Sequence, residues 1–432
     1  MQYLNIIYFL IITIYGYRFL QSDGKIIKGT LNSEQSFHYS GTELFWCLTF
    51  STGLLAFSAN IGLDLMAIRL LVLELFCIIG ISIAKNRAII SLPLKIYVIF
   101  LLWMIVGLFY APSPIYGIRT ILKYLYPFLL CMFASATVRD SEVFFKSSLL
   151  ARIVGLISIA FAFIPYIIMI IPGVFWYGTA RAINYISIMI FSLGMFYFTN
   201  KKKQNLFYTI LFCIPCILWV LRTSIMGTLV ALMAFFFIKY KFKSLPIIFT
   251  VIVLGIAAVF TVPTIKQKMF FDDSVTFEDY RNGKISEDNI NTNYRSVMWK
   301  DLERLFFNEN KIIGSGTGAV QSYMYTHREE FGNLTVPHSD FIQQKCDNGF
   351  IGLILYGTIS LFIFFDAFRT YWRARSAPLQ LCAIVAGASL IGVYATFYSD
   401  NVVNYSMATL SMPYGFYGMM LGLRHTEQSE PV

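Results

Sequence analysis

LRTSIMGTLVALMAFFFIKYKFKSLPIIFTVIVLGIAAVFTVP, residues 221–263, consists of two unbroken apolar runs with Lys239, Lys241 and Lys243 between them. Each run approaches the length that carries a helix across about 30 Å of hydrocarbon, and neither alternates with the period of two that a barrel strand needs. Backbone groups in lipid must be satisfied within their own segment, so both runs read as helices. The rest of the chain has the same texture: of 432 residues, 57% are hydrophobic and 13% charged, roughly half the charged share of a soluble domain. The sequence therefore predicts an all-α, polytopic integral membrane protein and excludes an ordinary water-soluble enzyme.

Further apolar spans fall near 3–20, 43–59, 66–84, 94–111, 120–138, 149–171, 183–199 and 206–221 before this stretch, and near 349–366, 378–397 and 405–423 after it. That predicts about 12 or 13 transmembrane helices. The Tyr3–Leu20 run has no basic residue before it and no small-residue cleavage site after it, so it reads as a retained helix rather than a signal peptide. The chain divides into N-terminal transmembrane helices (1–205), an Arg-bearing helix pair with the following span (206–262), one large polar loop (263–348), C-terminal transmembrane helices (349–424) and a short tail (425–432).

Charge sets the orientation. From Pro263 to Lys345 there are ten Lys and Arg against twelve Asp and Glu, so the net charge of +10 lies elsewhere. It lies in short connections: Lys201–Lys203, Lys239–Lys243 and Arg369–Arg375. Short basic connections stay cytoplasmic, and these alternate with the spans so that the 263–348 loop is expected on the outer, periplasmic side. A surplus distributed this way also argues against a nucleic-acid partner. Six of the seven cysteines lie in apolar runs and read as small core residues; Cys213 and Cys216 form a CxxC with no second pair.

Ionisable residues at span ends are the first functional candidates, because charge is costly at a membrane. Arg222 interrupts WVLRTSIMG at the outer face, where it is either a snorkelling interface residue or an anion ligand facing the loop. Arg119 and Lys123, one helical turn apart, and Arg181 in YGTARAIN carry the same two readings, with the interfacial one favoured.

The loop reads as three pieces. Lys266–Asn293 is polar and flexible, and its Asp272 and Asp273 are oxygen ligands for a cation only as a minor alternative to a solvated acidic run. NYRSVMWKDLERLFF spaces Met298, Trp299, Leu302, Leu305 and Phe306 as an amphipathic helix. Arg295 falls in its first turn, where the helix dipole disfavours a cation and favours an approaching anion, so a ligand accounts for it better than helix stability does. KIIGSGTGAVQSY is expected to be a tight turn rather than a phosphate cradle. His338, one of four histidines, follows Pro337 at the start of a run leading into the span at Gly349. Neutral imidazole can take a proton from a hydroxyl, and the competing reading is a polar helix start.

The string from His338 to Gly352 fits H-[NSQ]-x9-G-x-x-G through His338, Ser339, Gly349 and Gly352, and resembles the signature of the O-antigen ligase and O-antigen polymerase superfamily of bacterial envelopes. LRTSIMGTLVALMAF resembles that family's Arg-containing helix pair, YRSVMWKDLERLF its R-x-x-x-W loop helix, and IIGSGTGAV its Gly-rich turn; the resemblance covers roughly Leu206–Gly357. It implies a multi-pass protein of the bacterial inner (plasma) membrane with a GT-C-type glycosyltransferase fold and a catalytic periplasmic loop. It further implies an undecaprenyl-diphosphate-linked oligosaccharide donor, a lipid-linked glycan or lipid A-core acceptor, surrounding membrane lipid, a chain-length regulator as a further partner, and no metal or other cofactor. Carried over residue by residue, His338 would be the base, and Arg222 and Arg295 would hold the donor diphosphate. The expected activity is inverting glycosyl transfer that polymerises surface-polysaccharide repeat units; the alternatives are ligation to lipid A-core and, as a minor one, transport of lipid-linked sugars.

Overall fold

The computed structural model describes residues 41–54, 65–163, 178–218, 221–270, 276–282 and 295–429. The expected Tyr3–Leu20 span lies outside the described residues, as do Asp272 and Asp273. Among the described residues the regular structure is helical throughout, with no strand.

In chain order the helices are α1 (Gly41–Leu54), α2 (Leu65–Ile83), α3 (Leu92–Leu108), α4 (Pro114–Thr137), α5 (Ser141–Phe163), α6 (Gly178–Phe198), α7 (Lys202–Leu218), α8 (Arg222–Tyr240) and α9 (Leu245–Thr261). The loop contributes α10 (Pro263–Met269), α11 (Phe277–Arg281), α12 (Arg295–Phe306) and α13 (Ala319–Thr326). After these come α14 (Asp340–Arg373), α15 (Ala377–Thr396), α16 (Ser406–Thr409) and α17 (Ser411–Ser429). Among the described residues four segments are long and apolar enough to cross a membrane: Pro114–Thr137, Arg222–Thr261, Asp340–Arg373 and Ala377–Thr396. The second of these is interrupted at Lys241, whose φ of 52° lets the chain turn between α8 and α9.

Small residues set the bundle's centre. Helix α8 packs most extensively on α15. A Cβ built on Gly227 would lie 2.8 Å from the carbonyl oxygen of Gly392, and one on Gly392 2.5 Å from Cβ of Ala231. Two glycines and an alanine thus let the backbones approach, the usual solution where lipid tails leave close packing to drive association. Helix α9, by contrast, buries none of its residues within the protein, as expected of a helix facing lipid tails.

The loop is more ordered than its polarity suggests. Helix α11 lies inside the segment expected to be flexible, and a capping box accounts for it. Thr276 N donates to Asp279 Oδ2 at 2.9 Å, while Asp279 N donates to Thr276 Oγ1 at 3.2 Å. The glycine-rich turn is seated on the end of α3: Thr317 N donates to the Gly107 carbonyl, and Thr317 Oγ1 to the Met104 carbonyl at 2.8 Å. Helix α12 buries Met298 and Leu302 in a second small core with Val320, Met324 and Cys346.

Candidate active site

The linker between α15 and α16 is the scaffold of the site, and a buried carboxyl fixes it. Asp340, 1% exposed, begins α14. Its Oδ2 accepts from Val402 N at 2.7 Å and Val403 N at 3.2 Å, and its Oδ1 from Asn401 Nδ2 at 3.3 Å. A buried carboxyl without such donors would be strongly unfavourable, so this set pins the linker to the start of α14. Asp340 N completes the clamp by donating to the Phe397 carbonyl at 2.9 Å. Ser339 caps α14, its hydroxyl accepting from Ile342 N.

His338 sits one residue outside that cap, with φ at 52°. A left-handed backbone is uncommon for a residue with a Cβ and persists where the surroundings impose it, as the Ser339 and Asp340 bonds do here. His338 Nδ1 lies 3.4 Å from Asp400 Oδ1, and the two side chains are 24% and 14% exposed. If Nδ1 donates to the carboxylate, Nε2 carries the lone pair.

Arg295 is the first residue of α12. Trp299, one turn on, donates its indole N–H to the Pro337 carbonyl at 2.6 Å and meets the Tyr398 ring edge-on at 5.7 Å. Those contacts hold the helix start beside His338, and Arg295 Nη1 donates to the Ser399 carbonyl at 2.5 Å. Burial pulls the Arg295 guanidinium below its usual range, and the Asp400 charge opposes that.

Arg222 opens α8 and donates through Nη1 to the Lys268 carbonyl of α10 at 2.7 Å. Its neighbour Thr223 has its hydroxyl 3.0 Å from Ser399 Oγ, and Arg222 stands close enough to Arg295 for the two charges to repel. Of the residues expected from sequence, Arg295 and His338 therefore meet on one dipeptide, Ser399–Asp400, and Arg222 stands beside Arg295 with its own hydrogen bond to Lys268.

The remaining candidates divide. Lys123 donates to Asn404 Oδ1, on the same linker but beyond the Asp340 clamp. Arg119 is exposed, with its guanidinium 5.7 Å from the centre of the Tyr116 ring, as an interfacial residue would be. Arg181 falls in α6, and its side chain lies outside the described residues. The glycine-rich turn is filled by protein: Asp347 Oδ2 accepts from Gly318 N at 3.0 Å, and Asp347 Oδ1 from Val320 N at 2.9 Å. Gly349 kinks α14 with φ 65°, and a Cβ there would lie 2.3 Å from the Ile312 carbonyl oxygen. Added to Gly352, a Cβ would lie 2.3 Å from Asn348 Cβ. Both motif glycines thus serve close packing within and against α14.

Sequence reasoning missed Ser399, Asp400 and Asp340. One signal was available for Asp400: it is the only acidic residue between Asp366 and Glu427, in a polar SDN break between two apolar spans.

Chemically, a histidine with a free ring nitrogen, a carboxylate behind it and two guanidinium groups alongside can accept a proton and neutralise an anion in one place. No curated protein matches the chain. Residues 207–357 match the family described as O-antigen ligase, a segment that holds Arg222, Arg295, His338, Gly349 and Gly352 and stops short of Asp400. The matched segment coincides with the one its motifs had marked, and over residues 207–357 this helical membrane protein is similar to the O-antigen ligase and polymerase superfamily.

Proposed function

We propose that the protein is a metal-independent, inverting glycosyltransferase of the bacterial inner membrane. It acts at the periplasmic face and polymerises surface-polysaccharide repeat units carried on undecaprenyl diphosphate. The observation that carries this reading is the convergence of His338 and Arg295 on Ser399–Asp400, with the charge of Arg222 beside that of Arg295.

In this reading an acceptor hydroxyl gives its proton to His338 Nε2 as its oxygen attacks the anomeric carbon of the donor. The bond from that carbon to the diphosphate oxygen breaks on the opposite face, so the configuration inverts, and the electron pair leaves with the polyprenyl diphosphate. Asp400 holds the ring and stabilises the imidazolium that forms. The leaving diphosphate is already a stable anion, so positioning and charge neutralisation carry most of the catalysis. Arg222 and Arg295 suit that task, since a guanidinium grips phosphate oxygens with two donors and keeps its proton.

The second reading, transfer of the finished glycan to lipid A-core, is favoured by the description of the matching family. Both readings share donor, base and arginines and differ only in the acceptor. The test is a reconstituted assay with a lipid-linked repeat unit as sole substrate. Chains longer than one unit support polymerisation, and product that appears only when lipid A-core is added overturns it in favour of ligation.

A further inference from the structure

At the end of α14 away from His338, a cavity of about 540 Å³ opens between α14, the start of α15 and the last turns of α17. Asp366, Arg369, Arg373, Arg375, Arg424 and Glu427 line it. Four arginines therefore face two acids, and both acids are already committed. Asp366 accepts from Arg424 Nη1 at 2.7 Å and from the Tyr417 hydroxyl at 2.8 Å. Glu427 accepts from the backbone N–H groups of Arg375 at 2.8 Å and Ser376 at 3.0 Å.

Arg369 and Arg373 are left with no hydrogen-bond or ion-pair partner among the described residues, although they lie one helical turn apart on the same face. Like charges at that spacing repel, and an anion held between them removes the repulsion. Forked guanidinium donors match the oxygens of a phosphate.

The depth of the cavity is marked by the adjoining Trp372. Its indole N–H donates to the Ile238 carbonyl at 2.8 Å, and Lys241 Nζ lies 3.8 Å from the centre of its ring. A tryptophan partnered by a lysine is characteristic of head-group level, and basic pockets between helices at that level take phosphate head groups. We propose that this cavity is a phosphate-binding site, filled by the head group of an anionic phospholipid. It lies at the far end of α14 from the residues around Asp400 and is separate from them.

The test uses the full chain in phosphatidylcholine nanodiscs, with and without cardiolipin, and reads the melting temperature and the bound lipid by native mass spectrometry. Cardiolipin is expected to raise the melting temperature of the wild type. Arg369→Gln/Arg373→Gln should lose that rise and carry roughly tenfold less bound lipid, while Arg369→Lys/Arg373→Lys, which keeps the charge and controls for folding, should retain part of it. An equal rise in the wild type and the Gln variant would overturn the site. A rise with inorganic pyrophosphate in pure phosphatidylcholine and none with cardiolipin would overturn the lipid assignment and leave a soluble phosphate as the ligand.

Discussion

His338 Nδ1 and Asp400 Oδ1 are 3.4 Å apart across a gap of 62 residues in the chain, one at the start of α14 and the other on the linker that follows α15. The distance is at the long end of a hydrogen bond, a geometry common in catalytic pairs before substrate tightens them. His338→Ala is therefore expected to abolish product in the reconstituted assay, with membrane insertion intact. Asp400→Asn should slow turnover by about a hundredfold, an intermediate loss because the ring remains but its tautomer is no longer held. Full activity in the alanine variant would remove His338 as the base.

Arg222→Lys and Arg295→Lys test whether two-pronged grip matters or only charge. Each change keeps the cation and loses the planar fork, which at a phosphate is worth about one charge-assisted hydrogen bond, or roughly tenfold to a hundredfold in kcat/KM. Arg295 is the more sensitive of the two in this view, because the carbonyl it holds, that of Ser399, adjoins Asp400, whereas Arg222 holds the carbonyl of Lys268 in α10. Near-normal turnover in both variants would mark them as interface charges.

Gly349→Ala should damage the fold rather than the chemistry. The residue has φ 65°, and a Cβ added there would lie 2.3 Å from the Ile312 carbonyl oxygen, so an added methyl meets both backbone strain and a clash. The expected cost is more than about 1 kcal/mol, seen as a lower melting temperature in detergent and poorer yield. A Gly349→Ala protein that melts with the wild type would show that the kink is not needed.

The helices were legible from sequence because lipid imposes a simple rule, apolar side chains over a fixed length, and α8 and α15 obey it. Arg295 was legible because a cation in the first turn of an amphipathic helix runs against the dipole. Asp400 and Asp340 were not legible as a pair. They meet only when α14 and α15 pack side by side, and no local spacing encodes that. The order inside the polar loop was missed for a related reason: Thr276 and Asp279 form a capping box whose residue types are equally at home in a solvated coil.

Activity should be unchanged by EDTA. In the proposed mechanism the two guanidinium groups would supply the positive charge that a divalent cation supplies in other transferases of diphosphate-linked donors. Turnover that falls in EDTA and returns with added Mg²⁺ would overturn the metal-independent reading and direct attention to Asp272 and Asp273.

The acceptor is decided in the cell by what accumulates when the protein is missing. A polymerase joins one repeat unit to another before transfer, so its loss leaves single units that a separate ligase still attaches. A ligase acts after polymerisation, so its loss strands complete chains on the lipid carrier. A deletion strain run on a lipopolysaccharide gel should therefore give core plus one repeat unit, with no ladder above it. The ladder should return with wild-type protein on a plasmid and not with His338→Ala. Bare core, with long chains recovered from the polyprenyl fraction, would assign the protein as a ligase. In that event His338 and the two arginines would keep their roles, and the acceptor hydroxyl would belong to lipid A-core.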